Sequence, residues 1–144
     1  MSIALRECEV RQTLTSLQAR LGPSYLVLHT DQNFGYDPDS IGVMRTNDQL
    51  EALRIRSTSG VNYDISVDSV IVLYRGWHAA YGLELQGAGP DFLLARILHA
   101  PRDYGAFARA VFAACPDVVE QGTNTVEALA EEMRRTGILF CWWD

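Results

Sequence analysis

Residues 138–143 read Ile-Leu-Phe-Cys-Trp-Trp, six consecutive apolar side chains before Asp144. In an extended strand successive side chains point to opposite faces, so such a run needs cover on both sides of a sheet. A central or well-covered strand is therefore expected, because an apolar strand left open is an aggregation hazard. The chain has 144 residues, 48% apolar and 21% charged, which suits one compact domain with a core of ordinary composition. No apolar run approaches the roughly 20 residues that span a bilayer. Residues 1–10 carry Arg6, Glu7 and Glu9 where a signal peptide would have its apolar core. A cytoplasmic protein with no membrane partner is expected.

Periodicity and punctuation divide the rest. Ile3, Val10, Leu14, Leu17 and Leu21 are close to helical spacing, and Gly22-Pro23 ends that helix. Strands are expected at 25–29 and 41–45, separated by a loop rich in Asp, Asn, Gly and Pro. Asn47 to Ala52 could be a turn of helix, after which the alternation of Leu53-Arg-Ile-Arg56 reads as a half-exposed strand. Ser66 caps a helix to Tyr81, with Val67, Val70, Ile71, Tyr74 and Trp77 inward and Gly82 at its end. Gly76 inside this helix costs about 1 kcal/mol relative to alanine, so a close neighbour is expected there.

Strands at 83–87 and 92–98 form an antiparallel pair around Gly87-Ala-Gly-Pro-Asp91. A helix at 103–115 with Phe107, Val111 and Phe112 inward stops at Pro116. A loop through Gln121-Gly122 leads to a helix at 126–136 between Thr125 and Gly137. From residue 53 the order is strand, helix, strand, strand, helix, helix, strand. The expected class is α+β: a ferredoxin-like split β-α-β sheet with one extra helix, preceded by an N-terminal helix and two strands. The division is an N-terminal helix at 1–22 and a single α+β domain at 23–144.

Composition removes several chemistries. All 12 basic residues are arginine, so Schiff-base catalysis, a lysine general base and a P-loop lysine are excluded. The formal net charge is -6 and the arginines are dispersed, which argues against a nucleic-acid partner. Cys8, Cys115 and Cys141 are odd in number and widely spaced, without CxxC, and His29, His78 and His99 lack metal-ligand spacing. Neither a metal nor a cofactor is expected, and no catalytic residue stands out.

Four stretches resemble a bacterial family catalogued as domain of unknown function 4253. They are Gly60-Val-Asn-Tyr-Asp-Ile65, Gly87-Ala-Gly-Pro-Asp91, Cys115-Pro-Asp-Val-Val-Glu-Gln-Gly-Thr123 running into Thr125-Val-Glu-Ala-Leu-Ala-Glu-Glu132, and Trp142-Trp-Asp144. The likeness covers about residues 25–144 and leaves the first helix outside. Where the family pattern has Asp-Ile-Leu-Arg, this chain has Glu51-Ala-Leu-Arg54. The resemblance implies a domain and no reaction.

Candidate binding residues follow from polar loops and the aromatic tail. Asn62, Tyr63 and Asp64 in one loop and Asp117, Glu120 and Gln121 in another could converge, giving a carboxylate site for acid–base work or a ligand. Their structural reading is turn hydrogen bonding and capping. Gly87 to Asp91 could approach a ligand through its backbone. Cys115 lies at a helix C-terminus, where the dipole disfavours a thiolate. Trp142 and Trp143 point to opposite faces; one packs against helices, and the other, beside Asp144, would anchor a partner. Trp143 and Asp144 join the candidate set.

The leading expectation is a non-catalytic module that binds a basic protein, with an immunity or antitoxin-like neutraliser of a basic toxin as its concrete form. The alternative is a small-ligand-binding protein or enzyme built on residues 62–64 and 117–122. A homodimer through a sheet edge is the third reading.

Overall fold

The computed structural model describes residues 2–144, with the side chains of Ser2, Glu7 and Cys8 outside the description; the redox state of Cys8 therefore falls outside the described residues. The elements are β1 (Ser2–Leu5), α1 (Glu7–Leu21), β2 (Leu26–Asp31), β3 (Asp39–Met44), α2 (Gln49–Ile55), α3 (Val67–Tyr81), β4 (Leu83–Ala88), β5 (Phe92–Ile97), α4 (Tyr104–Ala114), α5 (Val126–Thr136) and β6 (Ile138–Trp142). A 3₁₀ turn spans Val61–Tyr63 and a π-helical turn spans Val118–Thr123. The six strands make one mixed α+β sheet in the order β1-β3-β2-β4-β5-β6. Only β2 and β4 pair in parallel, and the other neighbours are antiparallel.

Strand alternation divides the core into two layers. Leu28, Leu83, Leu85, Leu93, Ala95, Leu139 and Cys141 point to one face, which α2, α3, α4 and α5 cover with Leu53, Val70, Ile71, Tyr74, Phe107, Val111 and Met133. On the other face α1 lays Val10, Leu14 and Leu17 over Val27, Ile41 and Val43. Gln18 fixes α1 to the start of β2: its Nε2 donates to Tyr25 O at 2.8 Å and its Oε1 accepts from Val27 N at 3.1 Å. No helix among the described residues is long and apolar enough to cross a membrane.

α3 and α5 have the expected N-caps, and α4 is capped by Asp103, which the expected range 103–115 places inside the helix. Ser66, Asp103 and Thr125 each accept from the backbone N–H three residues on, and Gly82 and Gly137 adopt the left-handed conformation that ends a helix. Six expectations are corrected. Residues 2–5 are a strand, so Ile3 belongs to β1 and not to the first helix. Residues 53–56 are not a strand: Asp48 Oδ1 accepts from Leu50 N at 2.8 Å and starts α2, which buries Ala52 and Leu53. With that strand absent, and with β5 and β6 adjacent, the order differs from a ferredoxin-like split β-α-β sheet.

Gly76 faces open space and has no close neighbour. The loop through Gln121-Gly122 is a π-helical turn, where Thr123 Oγ1 donates to Val118 O at 3.4 Å. The sixth correction concerns the tail. β6 pairs only with β5 and is an edge strand, not a central one. Its apolar sequence is accounted for on two faces: Leu139 and Cys141 enter the helical core, while Ile138, Phe140 and Trp142 lie half-buried opposite.

Candidate functional site

The four stretches of family likeness meet at one end of the sheet. Thr58 Oγ1 donates to Gly89 O at 2.8 Å, Ser59 N to Pro90 O at 2.9 Å and Trp143 N to Asp91 O at 2.8 Å. Trp143 is 4% exposed and its indole N–H donates to Ala114 O at 2.9 Å. Gly60 lies against the ring: a Cβ there would sit 2.6 Å from Trp143 Cδ1, so glycine is what lets residues 60–65 close over the indole. The buried member of the tryptophan pair is thus Trp143, and Trp142 takes the more open side, with Gly122 packed on its ring.

Asp117 ties these parts together. Its Oδ1 accepts from Tyr63 Oη at 2.6 Å and from Gln121 Nε2 at 2.9 Å, and its Oδ2 accepts from Asp144 N at 2.8 Å. Burial at 1% exposure works against the charge, but the hydrogen bonds from Tyr63, Asp144 and Gln121 outweigh it and hold the carboxyl below the ordinary carboxylate range. The same bond to Asp117, followed by burial, pushes the Tyr63 hydroxyl up to about 12. A carboxylate with three donors in place and a low pKa is poorly suited to accept a proton from a substrate. It acts as a latch joining the 60–65 turn, the π-helical turn and the tail.

The two polar loops therefore converge, yet their shared carboxylate is engaged within the fold. Asn62, Asp64 and Glu120 are exposed, and Asp64 takes a positive φ of 56° to close the 3₁₀ turn. Asn62 lines a shallow cavity of about 510 Å3 with Asp91, Trp143 and Asp144. Cys115 and Cys141 are both fully buried; Cys115 Sγ donates to Trp142 O at 2.7 Å, and its interaction with Cys141, then burial, raises the Cys141 thiol. Both are packed groups of the core.

The histidines serve elsewhere. His29 Nε2 lies 3.2 Å from Asp39 Oδ2 beneath α1, both atoms buried and without a hydrogen-bond partner. His78 Nδ1 is 2.7 Å from Leu83 O, and the ring of His99 occupies the space that a Cβ on Gly82 would need. Among the described residues no cluster of three metal-ligating side chains occurs.

The open surface is built by β6. Ile97 N donates to Gly137 O and Trp143 N to Asp91 O, so the odd-numbered residues of the tail direct their backbone groups to β5. The even-numbered residues face outward. Cys115 takes Trp142 O and Thr136 Oγ1 takes Ile138 N, which leaves the N–H and C=O of Phe140 on the outer edge. A groove of about 530 Å3 runs along this edge, its lining including Leu129, Glu132 and Met133 of α5, Val118 of the π-helical turn, Phe140 and, from α1, Arg11. Beside it, on the face that α1 leaves uncovered, Phe34, Phe92, Phe140 and Trp142 wall a smaller cavity with Asp91 and Asp144. Sequence reading singled out Asp144 and weighed Asp91; it missed Phe34, Phe92 and Phe140, whose grouping depends on strand order. Alternation alone could have placed Phe140 and Trp142 on one face.

Residues 40–144 match the model of a family described as Domain of unknown function (DUF4253), and the chain belongs to that family. The match begins within β3, so β1, α1 and β2 lie outside it and the likeness is shorter than the expected 25–144. No curated protein and no solved structure matches the chain.

Proposed function

We propose that this chain is a non-catalytic protein-binding module of the cytoplasm that receives an extended segment of a basic protein along the β6 edge. The supporting observation is the outward N–H and C=O of Phe140 along a groove whose walls combine apolar side chains with Glu132 and Arg11. A strand laid there would gain main-chain hydrogen bonds, while alternate side chains would enter the groove and provide specificity. The formal net charge of -6 favours a basic partner. Neutralising a basic toxin, in the manner of an immunity or antitoxin-like protein, is the concrete form of this reading. The rival reading, a ligand or catalytic site on residues 62–64 and 117–122, has its loops together but its central carboxylate occupied.

Selection from a displayed library of random peptides tests the proposal. Enriched sequences should alternate apolar residues with arginine or lysine, and binding should slow hydrogen exchange at the Phe140 amide. Phe140→Pro, which removes that N–H, should abolish binding while circular dichroism stays native. Peptides that bind without protecting the Phe140 amide would overturn the reading, whether or not the proline variant folds.

A further inference from the structure

The cavity beside the β6 groove has a composition that names its ligand. Phe34, Phe92, Phe140 and Trp142 wall a space of about 380 Å3, and Asp91 and Asp144 stand at it. We infer that this cavity binds a guanidinium group, the one carried by an arginine side chain of the partner. The rings of Phe140 and Trp142 have centroids 5.4 Å apart at 31°, and Phe92 lies 6.3 Å from Phe140 at 60°. Ring faces carry negative electrostatic potential and attract a cation placed over them. Among the described residues the side-chain carboxylates of Asp91 and Asp144 make no ion pair or hydrogen bond, and no arginine lines the cavity.

The backbone that carries the two carboxylates is held in place beforehand. Asp91 O accepts from Trp143 N, and Asp144 N donates to Asp117 Oδ2, so the latch fixes the backbone at both positions. Phe34 reaches the rim because Asn33 holds its loop: Asn33 N donates to buried Asp39 Oδ1 at 2.8 Å and Asn33 Nδ2 to Pro38 O at 2.8 Å. Guanidinium fits this arrangement better than ammonium. It is flat enough to stack on an indole, presents donors to two carboxylates at once, and is more weakly hydrated, so it loses less on entering an aromatic site. The source of the arginine rests on the basic-partner reading; recognition of the group itself rests on the cavity alone.

Titration calorimetry with N-acetyl-arginine methylamide, and with its citrulline and lysine counterparts, tests the inference, with the Trp142 indole N–H followed by NMR. The arginine compound should bind and move the Trp142 resonance. The citrulline compound, equal in shape but uncharged, should bind at least about tenfold more weakly, and the lysine compound should also be weaker. Asp91→Asn with Asp144→Asn, both on the surface, should weaken arginine about tenfold or more. Citrulline or lysine binding as well as arginine, or a Trp142 signal that stays still, would overturn the inference. Arginine binding without any peptide at β6 would retain the cavity and remove the partner reading. Peptides at β6 that never require arginine would retain the partner reading and remove the partner as the source of the arginine.

Discussion

Asp117 shows how one side chain can be conspicuous and yet have its chemistry already committed. Its hydrogen bonds lower its pKa, and the bond with Tyr63 raises the tyrosine to about 12. For a carboxyl depressed in the folded state, stability is present above its unfolded value of about 4 and is lost as pH falls through the folded value. For a hydroxyl raised in the folded state, stability is present below about 10 and is lost as pH rises towards the folded value. Tyr63→Phe should therefore flatten the loss of stability at both ends of the range. Melting temperature against pH, wild type beside variant, checks this, and superimposable profiles would refute the latch. Gly60 belongs to the same assembly. Gly60→Ala brings a Cβ within 2.6 Å of Trp143 Cδ1 and should cost about 1–3 kcal/mol through overpacking, measured by denaturant unfolding.

Elements whose ends carry their own punctuation were legible in the chain: α3, α4 and α5 begin at Ser66, Asp103 and Thr125. Thr125→Ala should accordingly cost about 1 kcal/mol of stability in the same unfolding measurement. The β4–β5 pair was also legible, because its two strands are joined by a short glycine-rich turn. What failed lacked a local signal. Leu53-Arg-Ile-Arg56 alternates like a strand, yet Ala52 and Leu53 are adjacent inward positions of a short helix, a pattern that a four-residue window does not separate from alternation. β1 is short and runs straight into α1, so Ile3 falls in helical phase by coincidence. The place of β6 depends on which strands flank β5, and neither face of the tail carries that information. The same holds for the site: Tyr63, Asp117 and Gln121 were suspected of meeting, whereas the Phe34, Phe92 and Phe140 grouping required the sheet order.

At the scale of the molecule, unequal cover of the sheet sets where recognition can occur. Four helices close one face, while α1 closes only the β1–β3–β2 part of the other. The uncovered part adjoins an open strand edge and aromatic walls, a combination that also invites two copies to pair through β6. Net charge opposes this. Each copy carries a formal -6, and its β6 side bears exposed Asp91 and Asp144 and groove-lining Glu132 against Arg11 of the same groove. Exposed charges interact over about 10 Å at 0.1 M salt and over only about 3 Å at 1 M, so repulsion prevails in dilute buffer and fades as salt is added. Static light scattering should thus give the mass of one chain at low ionic strength. A basic β6-binding peptide should form a one-to-one complex whose affinity falls as salt rises. A dimer that persists in low salt and blocks peptide binding would show instead that the β6 edge is used for self-association, and the acidic surface would then have no part in choosing the partner.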